Sequence, residues 1–205
     1  MAIYTIVGKM GHGKGLFAMH VMQQAWRRGR WIATNMELTP KAPWYDQAIR
    51  FGTPDFPIVD KRSGQPFWDL LPRGTDVIVD EAELAFDSVN HRTLNDLCCE
   101  LIANQRKLNL NLFFVVKRIG NLYVRFRESA DTHFVCEWSY KRNPFWSVAE
   151  RVLGRDLKRY TNFRISEFGD SDLKEEQRKT VLSYKTCATR YFNYYKTEQL
   201  FKVER

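Results

Sequence analysis

An α/β fold, with a mostly parallel sheet and helices on both faces, is what this sequence predicts, and three observations carry that reading. Apolar β-type runs alternate with segments of helical spacing as far as Trp138, the pattern left by strand–helix–strand units. A glycine-rich stretch, Gly8-Lys9-Met10-Gly11-His12-Gly13-Lys14-Gly15, joins the first such run to the first helix. A β-branched run, Val77-Ile78-Val79, ends on Asp80 and Glu81, as a buried parallel strand with acids at its C-terminal tip would.

The elements follow in order. Ile3-Tyr4-Thr5-Ile6-Val7 reads as the first strand. Phe17, Val21 and Ala25, with Ala18, Met22 and Trp26, then repeat at helical spacing, and Gly29 supplies a stop. Trp31-Ile32-Ala33-Thr34 is a second strand, ending in Asn35-Met36-Glu37. Six of the seven prolines (Pro40, Pro43, Pro54, Pro57, Pro66 and Pro72) fall between there and Asp80. They argue against regular core elements, so residues 38–75 are expected to be a loop-rich insertion with room for a small hairpin. From 90 to 108, Leu94, Leu97, Cys98, Leu101 and Ile102 make a one-faced amphipathic helix. Residues 110–116 and 132–138 read as strands. Beyond Ser139 the chain turns basic and aromatic. A hairpin from 157–160 and 163–166 and a polar helix over 173–186 are expected there. The division is thus a core, 1–138, and a C-terminal extension, 139–205, packed on it.

Bulk properties narrow the class of partner. With 205 residues and 44% hydrophobic content the chain can bury a sizeable core. A net charge of +8 and a pI near 9.4 favour a polyanionic partner; solubility tuning is the plainer alternative. Arg27, Arg28 and Arg30 cluster after the first helix, and Lys117, Arg118, Arg125 and Arg127 lie close together. The cysteines, Cys98, Cys99, Cys136 and Cys187, lack metal-site spacing, and Cys98 and Cys99 are expected as small apolar core residues of a reduced, cytosolic protein. There is no secretory leader pattern and no apolar run of membrane-spanning length, so a soluble chain is expected.

The glycine-rich stretch fits the phosphate-binding P-loop pattern G-x-x-x-x-G-K-[ST] in all but its last position. Its glycines let backbone N–H groups converge on phosphate oxygens, and the helix N-terminus adds positive potential. Gly8, Lys9, Met10, Gly11, His12, Gly13, Lys14, Gly15 and Leu16 are therefore the candidate nucleotide-binding residues, with Lys14 reaching the β- and γ-phosphates. His12 is more simply a solvated filler than a phosphate contact. Asp80 and Glu81 make a Walker B pair: Asp80 to hold Mg²⁺, Glu81 to orient or deprotonate the attacking water. An ordinary strand–helix turn and a solvated acidic turn are the plainer readings. Gly15 stands where the Mg²⁺-binding hydroxyl of a serine or threonine belongs.

These residues carry a family resemblance. The loop, the acidic strand, the helix ending Asn104-Gln105-Arg106-Lys107 and the apolar strand after it resemble FtsK/HerA-type P-loop ATPases of the RecA/ASCE kind. More narrowly, Ile3-Tyr4-Thr5-Ile6-Val7-Gly8, Thr34-Asn35-Met36, Val77-Ile78-Val79-Asp80-Glu81-Ala82 and Tyr191-Phe192-Asn193-Tyr194-Tyr195-Lys196-Thr197 resemble two groups. One is the zonula-occludens-toxin-like (Zot-like) proteins of filamentous phages; the other is the genome-packaging ATPases of tailless, membrane-containing viruses. The resemblance implies ATP and Mg²⁺, a homo-oligomeric ring with sites at subunit interfaces, non-sequence-specific DNA, and capsid or membrane proteins as partners. It implies an arginine finger from a neighbouring subunit, with Arg125 the best match and Arg127 and Arg106 its rivals. The sequence departs from the pattern twice: at Gly15, and at Lys117, where the family usually places a glutamine that senses the γ-phosphate. Both departures bear on the rate of hydrolysis.

The function so implied is an ATP-driven DNA-translocating motor for viral genome packaging, working in the host cytoplasm or at the virion's packaging vertex. A Zot-like role in filamentous phage assembly and extrusion, at a membrane, is the alternative; a downstream membrane span would favour it, and a full-length chain without one would favour packaging. Another alternative is a degenerate P-loop protein with a structural role in assembly, for which a Gly15→Ser variant with sharply raised turnover would speak. A small-molecule kinase fits less well, because adjacent carboxylates suit water activation and no arginine-rich lid is evident.

Overall fold

The computed structural model describes residues 1–52, 66–86, 91–138, 162–168, 182–185, 191 and 193–196. The strands are β1 (Ile3–Val7), β2 (Trp31–Thr34), β3 (Ala48–Arg50), β4 (Thr75–Val79), β5 (Asn111–Val116), β6 (Thr132–Trp138), β7 (Asn162–Phe168) and β8 (Leu182–Lys185). The helices are α1 (Lys14–Arg27), α2 (Ala82–Ala85), α3 (His91–Asn104) and α4 (Val124–Glu128), with short 3-10 turns at Phe67–Leu70 and Ile119–Asn121. One sheet runs β3-β2-β4-β5-β1-β6-β7-β8. The first six strands are mutually parallel, and β7 and β8 continue the sheet antiparallel.

Period-two alternation along the central strands builds two cores at once. Phe113 and Val115 of β5 join Ile6, Ile32 and Ile78 beneath Leu16, Met19 and Met22 of α1. Leu112, Phe114 and Val116 face the other way, joining Val77, Val79, Leu101, Phe86 and Phe126. This is why β4 and β5 read as unbroken apolar runs: both faces are covered. On that second face Phe86, Phe114 and Phe126 pack ring against ring, with centroids 4.6–5.6 Å apart, and tie α4 to the sheet.

Polar groups buried in the sheet are satisfied locally. Thr5 Oγ1 and His133 Nδ1 lie 2.6 Å apart across the β1–β6 pair. Asp76, at the amino end of β4, accepts from Arg30 Nε (2.5 Å) and Asn111 Nδ2 (2.7 Å). The amino edge of the sheet is thereby cross-linked, leaving the carboxyl edge for chemistry.

Several sequence expectations need correction. Ala48–Arg50 is not half of a hairpin but an edge strand parallel to β2. Trp44 and Trp68, also in the expected loop-rich insertion, are fully buried; prolines barred long elements without barring aromatic anchors. Residues 53–65 lie outside the described residues. Leu182–Lys185 is a strand on β7 instead of part of a helix, its Leu-Ser-Tyr-Lys run having the strand period that polarity concealed. Asn162–Phe168 pairs with β6 and β8; its expected hairpin partner at 157–160 lies outside the described residues. Cys98 is buried as expected, whereas Cys99 is exposed, because adjacent helical positions point about 100° apart.

Candidate nucleotide site

Three adjacent parallel strands, β4, β5 and β1, deliver their carboxyl ends to one edge. β5 lies between β1 and β4, so the glycine loop after β1, Lys117 after β5 and the Asp80–Glu81 pair after β4 stand side by side. Ligand sites of open α/β sheets form at such an edge. The intervening β5 is what separates the loop from the acids by one strand.

The loop is shaped by close approach and by backbone handedness. A Cβ at Gly8 would lie 2.7 Å from the Cys136 carbonyl oxygen of β6, so only glycine lets the two backbones pass. Gly13, at φ +83°, is the N-cap of α1, a left-handed conformation that side-chain-bearing residues adopt at a cost. The turn is closed by His12 N–H donating to the Lys9 carbonyl, 3.1 Å, and Phe17 N–H to the Gly13 carbonyl, 3.0 Å. Lys9, Met10 and Gly11 are exposed, His12 and Gly15 half-buried, and Gly8 and Leu16 buried. Leu16 belongs to the core beneath α1 instead of to the loop's open surface.

Lys14 folds over the loop, donating to the carbonyls of Gly8 (2.8 Å) and Lys9 (3.2 Å). Burial holds its ammonium below the ordinary lysine pKa, while the Asp80 and Glu83 carboxylates pull the other way. Lys14 and Asp80 therefore face each other across the carboxyl edge. Asp80 is pushed up to about 6, by burial first and then by the neighbouring Glu81 charge, against the opposing hydrogen bond from the Glu81 amide.

Asp80 is held by a residue that sequence reading did not place in the site. The Asn35 side chain, just beyond β2, accepts from Asp80 N–H (2.7 Å) and donates to the Asp80 carbonyl (2.8 Å). That two-point clamp fixes the turn. Glu81 follows with φ +50° and ψ +44°, left-handed backbone for a residue with a side chain. Its Oε1 lies 3.7 Å from Lys117 Nζ. Glu83 is a third carboxylate here: one oxygen accepts from Lys117 N–H (3.2 Å), and the other is buried without a partner among the described residues. Such an orphaned oxygen is the kind of acceptor that a hydrated cation or water satisfies.

The other unforeseen group is Tyr195. Its segment returns beside β2 and α1, and the phenol lies at the N-terminus of α1 against Gly15. Burial, and then the Asp80 charge, push its hydroxyl up to about 12. The aromatic run at 191–197 was visible in the sequence, but nothing local tied it to the loop. Arg125 is exposed on α4. Arg106 is exposed and Arg127 half-buried.

The donor set suits a magnesium nucleotide: a glycine loop for phosphate, a lysine, and carboxylates opposite. Mg²⁺ is commonly held by one or two carboxylates plus phosphate oxygens, which Asp80 and its neighbours can supply. The fold, a mostly parallel sheet with helices, is the α/β P-loop fold.

Comparison with known proteins agrees. Over its whole length the chain is similar to the Gene 1 protein of Enterobacteria phage I2-2, at 27% identity over 219 aligned positions, and spans 59% of that protein. The Gene 1 protein of Salmonella phage IKe matches at the same identity and coverage. Among solved structures, the N-terminal domain of zonular occludens toxin from Neisseria meningitidis superposes with a TM-score of 0.58, at 15% identity, covering 95% of this chain and 98% of that one. The genome packaging NTPase of Sulfolobus turreted icosahedral virus 2, in complex with ATP-gammaS, gives 0.51 at 16% identity, covering 80% and 91%. No family model matches the chain. The expected resemblance to Zot-like phage proteins and viral packaging ATPases is borne out.

Proposed function

We propose that this chain is the ATPase part of a phage assembly machine, hydrolysing ATP to move DNA during virion formation in the host cell. The observation that carries the proposal is Lys14, on a glycine loop, facing Asp80 at the carboxyl edge of a parallel sheet. Nucleotide triphosphate would displace the loop carbonyls from Lys14 and take its charge. Mg²⁺, when bound, neutralises phosphate charge, and Asp80 is the residue to hold it. Glu81 would orient the attacking water after releasing Lys117, a partly exposed pair that costs little to break. Lys117 is then free to approach the γ-phosphate. Arg125 is the candidate finger, supplied to the site of an adjoining subunit in a ring. The net charge of +8 suits a DNA partner gripped through phosphates.

Packaging of a viral genome and Zot-like assembly and extrusion are two forms of this one reading: the chain spans 59% of the phage Gene 1 proteins it is similar to, and it shares its fold with both the zonular occludens toxin domain and the packaging NTPase. No helix among the described residues is long and apolar enough to cross a membrane.

Phosphate release and ATP binding, each with and without DNA, test the proposal. Lys14→Ala should abolish binding. Glu81→Gln should bind ATP normally yet lower turnover by roughly 10²–10⁴, the usual weight of a general base. Failure of the native protein to bind ATP with Mg²⁺ and DNA present would leave the degenerate, structural reading.

A further inference from the structure

We infer that the Tyr195 hydroxyl stands in for the serine or threonine hydroxyl missing at position 15, as the neutral oxygen that meets the magnesium–nucleotide complex. The inference rests on the nucleotide reading above and deepens it. A Cβ at Gly15 would lie 2.9 Å from Tyr195 Oη and 3.1 Å from the ring atoms Cε2 and Cζ. The space a serine or threonine side chain needs is therefore already filled, and it is filled by a hydroxyl. Gly15 is the residue that makes room for the phenol. The Asp80 charge acts on the same oxygen, so the phenol that lies against the start of α1 is also in the neighbourhood of the candidate metal-holding carboxylate.

The position of Tyr195 is over-determined. Its backbone bridges to Leu38. On one side, Lys196 N–H donates to the Glu37 carbonyl (3.0 Å) and Lys196 Nζ pairs with Glu37 Oε1 (2.5 Å). On the other, Thr39 N–H donates to the Tyr194 carbonyl (2.8 Å), and Tyr194 packs edge-on against buried Trp44. Tyr191 Oη donates to buried Gln23 Oε1 of α1 (2.8 Å). Ordering a polar group in advance is what lets it contribute to binding without a further entropic cost. A strap fastened at so many points to α1 and to the segment after β2 does that for the phenol.

The test compares ATP-gammaS affinity in Mg²⁺ with affinity in excess EDTA, for the native chain and three variants. Tyr195→Phe keeps the ring and removes only the oxygen. It should lose about tenfold in Mg²⁺-dependent affinity, the scale of losing a metal-orienting contact, with metal-free affinity unchanged. Tyr195→Ala combined with Gly15→Ser should recover the Mg²⁺ dependence, because removing the ring clears the Oη, Cε2 and Cζ atoms that a Cβ at position 15 would meet. Gly15→Ser alone should bind worse than native in either condition, since its Cβ meets the phenol. Unchanged Mg²⁺ dependence in Tyr195→Phe overturns the inference and leaves the nucleotide site standing. Equal losses with and without metal also overturn it, by making the phenol a packing group. No binding by the native chain in either condition defeats the underlying nucleotide reading itself.

Discussion

At the scale of single residues, Asp80 is a group that burial makes costly to charge. Its folded pKa of about 6 lies above the ordinary 3.8, so the folded state holds its proton more tightly than the unfolded state does. The resulting stability is fully present below pH 3.8 and is lost as pH rises through about 6. Near neutrality the buried charge should cost on the order of 3 kcal/mol. Asp80→Asn keeps an oxygen for the Glu81 amide and removes that charge. Melting curves should show the variant several degrees more stable than the native chain at pH 7.5 and equal to it near pH 4. Equal melting at both values would mean that Asp80 is solvated. Lys14, Asp80 and Glu81 were legible because each sits at a fixed offset from a strand end. Asn35 and Tyr195 were not, because they reach the site through the fold, and Glu83, two residues past Glu81, holds no motif position that would mark it.

Among elements, the parallel strands were legible to within a residue or two, since burial on both faces writes itself as unbroken β-branched runs. Edge elements were not. β3 is three residues long without a buried residue, and the run that forms β8 is polar enough to pass for a helix surface. The short helices α2 and α4 are also too brief to show a period, and they depend on packing instead. Phe126 supplies it, fully buried against Phe86 and Phe114. Phe126→Ala should destabilise the fold by about 3–5 kcal/mol, measured by denaturant unfolding. A cost below about 1 kcal/mol would show that α4 is held by other contacts. Because Arg125 is the neighbouring residue on α4, the same packing sets where a finger is presented.

For the whole molecule, the question is how one subunit's Arg125 meets another's nucleotide. Within the chain Arg125 is exposed on α4, and the finger role proposed above is one played to the site of a second copy. Two individually inactive variants decide this. Lys14→Ala cannot hold the triphosphate but still carries Arg125; Arg125→Ala holds the triphosphate but lacks the finger, a loss of roughly 10³–10⁵ in rate. Mixed in equal amounts, a ring of head-to-tail contacts pairs an intact Lys14 with an intact Arg125 at roughly a quarter of its sites. Phosphate release by the mixture should then exceed that of either variant alone by orders of magnitude, and should fall on dilution as rings dissociate. Fully active Arg125→Ala would move the role to Arg127 or Arg106. A mixture as inactive as its components would mean that Arg125 acts on its own subunit's site, and the shared-interface arrangement would be lost with it.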